Sequence, residues 1–209
     1  IDITVAPDKP YVPHGQGGIF HKSEGLGNYY VSNPRMKASG KLRLDGREVK
    51  VTGMAWFDRE FGNLGSTPAH GWDWFSLQLD DRTEYMIYRI HRRDGEVEPM
   101  SRACRIDPEG REECVPVAEA EMTPLSFWQS PNTGGNYPVA WKVKIEKLGL
   151  DVMVLPVLID QELHAPGVAY WEGSCRALGQ PSNGRAYVEL VGYARAPLLE
   201  FTDFQPPRN

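Results

Sequence analysis

Residues 41–51 read KLRLDGREVKV, in which two runs of alternating polar and apolar residues flank Asp45-Gly46. Alternation with a period of two places the apolar side chains on one face of an extended strand. An Asp-Gly pair between two such runs is typical of a two-residue β-hairpin turn. The stretch therefore predicts an antiparallel hairpin, and with it a β-rich fold.

Signals of the same kind are spread along the chain. Its 21 glycines and 17 prolines are not concentrated in one tract, as expected when tight turns join many short strands. Residues 137–146 alternate as a half-buried strand, and 151–159 fit a strand with a bend or bulge at Pro156. Helical periodicity is weak everywhere, and the best short candidate is 116–123. The sequence predicts an all-β fold whose sheet closes into an antiparallel barrel or packs as a sandwich.

Composition excludes several classes of partner. The net charge of −5 comes without a cluster of lysine or arginine, so the electrostatic footprint expected for nucleic acid is missing. No apolar run has the length that a membrane-spanning helix needs. Because Ile1 is neither an initiator methionine nor the start of a signal peptide, we expect the start to be processed or truncated.

The three cysteines leave two interpretations open. Cys104 and Cys114 flank a turn segment at 107–110 almost symmetrically, so they could form a disulfide across a hairpin. Equally, they could be free thiols in a reducing compartment, because sequence separation does not give the Cα distance that a bridge requires. Cys175 stands alone, and no cysteine and histidine spacing predicts a metal site.

The most informative stretch is GMAWFDREFG at 53–62. Alternation places Trp56, Asp58 and Glu60 on one face and the two phenylalanines on the other. Because both faces are bulky, we expect one to line an interior and the other to pack on a second element or domain. Asp58 and Glu60 are the predicted catalytic residues, since burial against aromatic surface raises a carboxyl pKa toward neutrality. The alternative is structural: either carboxylate pairs with Arg59 or accepts backbone hydrogen bonds.

A second aromatic stretch, WDWFSLQL at 72–79, puts both tryptophans on one face with a serine and a glutamine. Such a mixture is typical of a ligand-binding wall, although ordinary core packing is the alternative for any single tryptophan. The chain has six tryptophans, whose flat rings suit an extended or conjugated apolar molecule. The predicted ligand-binding residues are Trp56, Trp72, Trp74, Gln78, Tyr88 and Trp171.

Seven motifs in one order resemble the superfamily of hydroxyneurosporene synthase (carotenoid 1,2-hydratase) and AttH-like proteins. They are YYxSxP at 29–34, GxAWFDREFG at 53–62, WDWFSLQL at 72–79, YPVAW at 137–141, DQEL at 160–163, YWEG at 170–173 and VELVGY at 188–193. Together they extend over nearly the whole chain.

The resemblance implies two lipocalin-like barrels in tandem, of which this chain is the C-terminal portion. Residues 1–60 would be the last strands of a first barrel, 61–200 a complete second barrel and 201–209 a tail. A companion chain completing the first barrel, or a longer parent protein, would supply the remaining strands.

The resemblance also implies chemistry without a cofactor, such as the addition of water to a carbon–carbon double bond or an isomerisation. Asp58 would be the general acid, and Trp56, Trp72 and Trp74 would stabilise a carbocation through cation–π attraction. Many family members carry D-H-E-W where this chain has Asp58-Arg59-Glu60-Phe61. Arginine cannot act as a general acid at neutral pH, so the sequence departs from a standard carotenoid hydratase here.

Two rival hypotheses use the same residues differently. A non-catalytic carrier or envelope accessory protein would bind an apolar small molecule in the same place, without needing an acid at Asp58. Alternatively, the polypeptide is one structural half of a split two-barrel protein. The AttH-like resemblance implies a bacterial periplasmic or membrane-associated location, with peripheral membrane association.

Overall fold

The computed structural model describes residues 1–23, 26–62, 69–92, 94–165 and 167–194. In chain order its strands are β1 (Asp2–Pro7), β2 (Val12–Pro13), β3 (Ile19–Ser23), β4 (Leu26–Leu44), β5 (Arg47–Gly62), β6 (Ala69–Leu79), β7 (Glu84–Arg92), β8 (Arg102–Ile106), β9 (Glu112–Pro116), β10 (Glu121–Gln129), β11 (Asn136–Ile145), β12 (Leu150–Pro156), β13 (Glu162–Ala165), β14 (Val168–Gln180) and β15 (Gly184–Val191). The predicted all-β fold is confirmed.

Helix is confined, in the described ranges, to two short 3-10 turns at Val117–Glu119 and Glu146–Leu148. The helical candidate at 116–123 therefore yields a single turn, and β10 begins directly after it. No helix in this part of the chain has the length and apolar character to cross a membrane.

The hairpin predicted from residues 41–51 joins β4 to β5, with Leu44 paired to Arg47. Asp45 and Gly46 have φ values of 48° and 76°. Two successive positive φ angles define the primed turn whose twist matches that of the flanking strands. The local sequence therefore specifies this turn.

The strands form two antiparallel sheets. In the small sheet β4 is central, with β5 along one edge and β1, β2 and β3 in succession along the other. The large sheet has the order β10-β11-β12-β14-β15-β6-β7-β8-β9, with β13 paired to β14. It curls around an apolar core to which β11 contributes Tyr137, Trp141 and Ile145, as its alternation predicts. By contrast, β12 ends at Pro156 instead of bending through it.

Buried polar contacts hold the two sheets together. The Glu84 carboxylate on β7 receives Lys9 and Arg35 of the small sheet as ion-pair partners. Nζ of Lys9 also donates to the carbonyl oxygens of Arg82 and Asp107 at 2.5 and 2.6 Å. These contacts satisfy groups that would otherwise be costly to bury.

The pairing of β8 with β9 decides between the disulfide and the free thiols that the sequence left open for Cys104 and Cys114. Cys104 lies directly opposite Cys114 in this strand pair and is joined to it by a disulfide. Cys175 is a free, buried thiol in the core of the large sheet, and burial raises its pKa to about 12.

The division into domains stays a prediction. The small sheet uses strands between Asp2 and Gly62, and the large sheet uses strands between Ala69 and Val191. The predicted boundary after residue 60 falls within the last residues of β5. The predicted tail at 201–209 lies outside the described residues.

Candidate functional site

Strand pairing assembles the candidate site between the two sheets. On the small sheet, Asp58 lies opposite Ser32, and Glu60 lies opposite Tyr30. Trp56 is two residues before Asp58 in β5, so it shares their face. This face meets the face of β6 and β7 that carries the predicted ligand-wall residues.

Aromatic rings fill the space where these faces meet. On the large sheet Trp74 is paired with Tyr88, and Trp72 lies on the same face. Trp74 packs edge-on against Trp56 with ring centroids 6.1 Å apart. Its indole N–H donates to the Tyr30 hydroxyl at 3.1 Å. The structure thus brings together four of the six predicted ligand-binding residues.

We call this group the aromatic cluster; its members are Phe20, Tyr30, Trp56, Trp72, Trp74 and Tyr88. Phe20 contacts Tyr88 and Tyr30 with centroid distances of 4.4 and 5.1 Å. Its three tryptophans are only partly buried. Aromatic faces that remain accessible at the edge of a packed group are suited to contact with an apolar ligand.

Asp58 stands beside this cluster with its carboxylate accepting a hydrogen bond from the Ser32 hydroxyl. The residue keeps accessible surface, yet protein groups crowd the carboxyl from the other side. Loss of water raises the pKa of Asp58 above its ordinary value of 3.8. Hydrogen bonds from Ser32 and the charge of His14 oppose that rise without cancelling it. An acid that is both accessible and partly desolvated is suited to proton transfer.

Trp56 has a buried indole N–H that lacks a hydrogen-bond partner among the described residues. It nevertheless lies close enough to Asp58 for its dipole to oppose the rise in that carboxyl's pKa. An unsatisfied donor next to an accessible carboxylate is a place where a water or a ligand oxygen can bind.

Glu60, the second predicted catalytic residue, is half-buried opposite Tyr30. Burial raises the pKa of the Tyr30 hydroxyl well above 10, and the charges of Asp58 and Glu60 add to the rise. Tyr30 is therefore a neutral hydrogen-bonding group at this site.

The remaining two ligand-binding predictions lie in other surroundings. Gln78 shares the face of Trp74, but its amide N–H donates to the backbone oxygens of Pro34 and Ala55 at 2.8 and 3.1 Å, which ties the sheets together. Trp171 is wholly buried in the large-sheet core, and its indole N–H donates to the Ile159 oxygen at 2.8 Å.

The second face of β5 differs from expectation. Phe57 and Phe61 are 38% and 46% exposed, and they contact Tyr11, just before β2, and Tyr29 of β4, respectively. The prediction that both faces of β5 would be covered is thus met on one face only. The outer aromatic face, defined here as Tyr11, Tyr29, Phe57 and Phe61, is open to solvent.

Sequence reasoning missed Phe20 and Tyr30 as members of the cluster and Ser32 as the partner of Asp58. Tyr30 and Ser32 belong to the YYxSxP motif, whose alternation puts both on one face. The positions of Tyr30 and Ser32 on one strand face could therefore have been predicted from this motif. Phe20 lies in a glycine-rich segment without strand periodicity, and nothing in its neighbourhood predicts its position.

Two other places in the described part of the chain have features of a binding site. A cavity of about 290 Å³ is bordered by Arg89, Pro116 and Met122 but shares no lining residue with the aromatic cluster. Arg89 already pairs with buried Asp73 at 3.0 Å. Cys104, Cys114 and Glu112 offer potential metal-ligand atoms within 4.8 Å of one another, but the disulfide leaves no thiolate to bind a metal.

The model of the AttH-like family matches residues 1–193, and the chain therefore belongs to that family. The crystal structure of an AttH protein from Nitrosomonas europaea superposes with a TM-score of 0.81 at 32% identity. The match covers 93% of this chain and 63% of that one. Among curated protein sequences, none matches.

A second solved structure, kievitone hydratase from Nectria haematococca, superposes with a TM-score of 0.72 at 23% identity. The match covers 90% of this chain and 60% of that one, and it shows a common fold. The chain thus spans less than two thirds of the length of either solved relative.

Proposed function

We propose that this protein binds an elongated apolar ligand against the aromatic cluster and adds water to a carbon–carbon double bond, with Asp58 as the general acid. The observation that carries the proposal is the position of the Asp58 carboxyl, which is accessible to solvent yet crowded by Ser32, Trp56 and Tyr30. This partial loss of water raises its pKa. The kievitone hydratase neighbour is consistent with it, since a hydratase uses the same fold. A polyene is the ligand that the resemblance to hydroxyneurosporene synthase favours.

The reaction requires few groups. Protonated Asp58 gives its proton to one alkene carbon, and the positive charge that develops on the other carbon is stabilised by the faces of Trp56 and Trp74. A water oxygen then bonds to that carbon and loses one proton to the Asp58 carboxylate. The sum is one water added, with the acid regenerated.

Arg59 occupies the position of the family's histidine and lies on the exposed face of β5, opposite to Asp58. The proposed reaction therefore assigns it no proton transfer.

The experiment begins with native mass spectrometry of protein from its own host, followed by extraction and identification of bound small molecules. Turnover is then measured with detergent-solubilised lycopene as the probe polyene and with any extracted alkene, scored as a mass gain of one water. We expect Asp58→Asn to lower the rate by about 100-fold or more while ligand binding is kept. Asp45→Asn, in the exposed hairpin turn where Asn tolerates a positive φ, is the matched control.

Other outcomes would contradict the proposal. A co-purifying apolar ligand that no alkene assay converts, bound equally by wild type and Asp58→Asn, would instead support the carrier hypothesis. Equal turnover by the two proteins would remove Asp58 from the mechanism.

We propose, second, that strands of a companion polypeptide cover the outer aromatic face. Its four rings form an exposed apolar surface on a sheet, which is unusual for a protein acting alone. The solved relatives are longer than this chain by enough to supply further strands. Native mass spectrometry should detect the second chain, and Phe57→Ser with Phe61→Ser should release it. A single-chain mass at all concentrations in the host extract would contradict this proposal.

A further inference from the structure

A series of hydrogen bonds runs behind the aromatic cluster from the large sheet to Asp58. Nδ1 of His14 lies 2.5 Å from Oε1 of Glu112 on β9. Nε2 of the same ring lies 2.7 Å from Oγ of Ser32 on β4. The Ser32 hydroxyl donates in turn to Oδ1 of Asp58 on β5. Side chains from both sheets are thus joined in one line from Glu112 to Asp58.

The middle of the line is shielded from water. Ser32 is 0% and His14 is 1% exposed, and the Tyr30 ring lies over the imidazole with a centroid distance of 4.6 Å. Glu112 keeps 16% of its side-chain surface at the far end, and Asp58 is accessible at the near end. The line therefore connects two solvent-accessible carboxylates through a dry layer.

We propose that Ser32, His14 and Glu112 form a proton relay through which Asp58 exchanges its proton with His14 when an apolar ligand covers the solvent-facing side of Asp58. The inference rests on the proposed function and adds three positioning residues behind the acid. It also identifies the route by which Asp58 stays in proton equilibrium with His14 once bulk water can no longer reach it.

The exchange conserves every proton. In one state Asp58 is protonated and donates to Ser32, whose hydroxyl donates to Nε2 of neutral His14. In the other state Nε2–H of the imidazolium donates to Ser32, and Ser32 donates to the Asp58 carboxylate. Two protons shift along the line, both bonds reverse direction, and no other reactant is needed. Nδ1–H donates to Glu112 in both states.

Charge explains why such a relay is useful at this position. When the Asp58 proton moves through Ser32 to His14 beneath an apolar ligand, the carboxylate left behind would be costly without bulk water. A donating serine hydroxyl with an imidazolium behind it stabilises that carboxylate. Glu112 fixes the imidazole tautomer and stabilises its charged form, as the carboxylate of a catalytic triad does.

The test is nuclear magnetic resonance on the intact chain, with labelled aspartate carboxyl carbons and labelled histidine nitrogens. The signal that disappears in Asp58→Asn belongs to Asp58, and the signal that disappears in His14→Gln belongs to His14. We expect the Asp58 carboxyl and His14 Nε2 signals of wild type to change at a common pH, because one proton is shared between them. In Ser32→Ala the two signals should change at separate pH values.

Separate changes in wild type, or a common change that persists in Ser32→Ala, would overturn the relay. If Ser32→Ala does not fold, Ser32→Cys keeps the size of the side chain with a much weaker donor, and the same separation is expected. His21→Gln, a change of the exposed histidine of β3, should leave the Asp58 signal unmoved. Glu60 and Tyr30 also face Asp58, so their contribution to its titration is common to all these variants.

The magnetic resonance measurement requires no substrate. Rejection of the relay is therefore distinguishable from rejection of the proposed hydration. Where turnover is found, His14→Gln should shift the pH profile of the rate and lower it by about tenfold or more. A coupled titration without any turnover would keep the relay and reject the hydratase.

Discussion

At the scale of single residues, the site depends on how one carboxyl group is surrounded. Asp58 accepts a hydrogen bond from Ser32 and lies beside the aromatic surface of Trp56. Its pKa is raised because the loss of water outweighs the lowering effect of these two partners. Glu60, two residues on, has a different setting opposite the Tyr30 hydroxyl. Two acids on one strand face are thus distinguished by their neighbours, which is how a fold assigns different roles to identical groups.

The raised pKa of Asp58 makes a prediction about stability. Well below its ordinary pKa of 3.8, the Asp58 carboxyl is protonated in the folded and unfolded states alike. As the pH rises above this value, the unfolded chain loses the proton first, so the free energy of unfolding falls until the folded-state pKa is passed. Asp58→Asn removes this fall while keeping a side-chain acceptor for Ser32. Urea unfolding of both proteins across this pH range measures the difference.

We expect the variant to become more stable relative to wild type as the pH rises, with a plateau at neutral pH. The free energy of unfolding of Asp45→Asn should follow the same pH dependence as that of wild type, because this turn residue is exposed. If the difference between Asp58→Asn and wild type stays constant with pH, then the carboxyl pKa is not raised in the folded state.

At the scale of elements, the hairpin of β8 and β9 is joined by a covalent bond in addition to its ladder. The disulfide closes a short loop, with a sequence separation of 10 between its cysteines. Glu112, the far end of the relay, begins β9 two residues before Cys114. The disulfide therefore also helps to position that carboxylate.

Replacing both bridged cysteines by serine should lower the free energy of unfolding by about 3 kcal/mol, the loop-closure estimate for a ring of this size. Denaturant unfolding measures the loss. Wild type in reductant should coincide with Cys104→Ser/Cys114→Ser, whereas the variant itself should not respond to reductant. Unfolding curves that are identical for oxidised wild type and the double variant would show that the disulfide adds nothing to the paired strands.

At the scale of the whole molecule, charges buried between the sheets set their relative position. Lys9 and Arg35 come from the small sheet, and Glu84 comes from the large one. Arg35 also donates to the Leu79 oxygen at 2.7 Å. The aromatic cluster lies along the same interface between the sheets, so this ion cluster contributes to holding together the two faces that carry Trp56 and Trp74.

Glu84→Gln should cost about 3 to 5 kcal/mol of unfolding free energy, because it leaves two buried cations without their counter-charge. The surface pair of Lys41 and Glu48 provides a matched control, since both side chains are about half exposed. Glu48→Gln should leave the stability nearly unchanged. Similar losses for the two variants, measured by urea unfolding, would mean that the buried cluster is not what joins the sheets.

The all-β class, the Asp45-Gly46 hairpin and the buried face of residues 137–145 could be predicted from the amino-acid sequence. These features are local: a period of two and a turn that needs positive φ angles are written in neighbouring residues. The shared face of Trp56, Asp58 and Glu60 could also be predicted. Family membership could be predicted for the same reason, because each of the seven motifs is a short local stretch and they occur in one order.

Which strand faces meet could not be predicted in this way, because it depends on the packing of the two sheets. Alternation separates a strand into two faces but does not say which core each joins, so Trp74 and Trp171 had the same sequence signal and lie in different places. The relay required folding even more directly, since His14 and Glu112 are separated by 98 positions in the chain. Such contacts arise from how the sheets pack, and no local pattern encodes that packing.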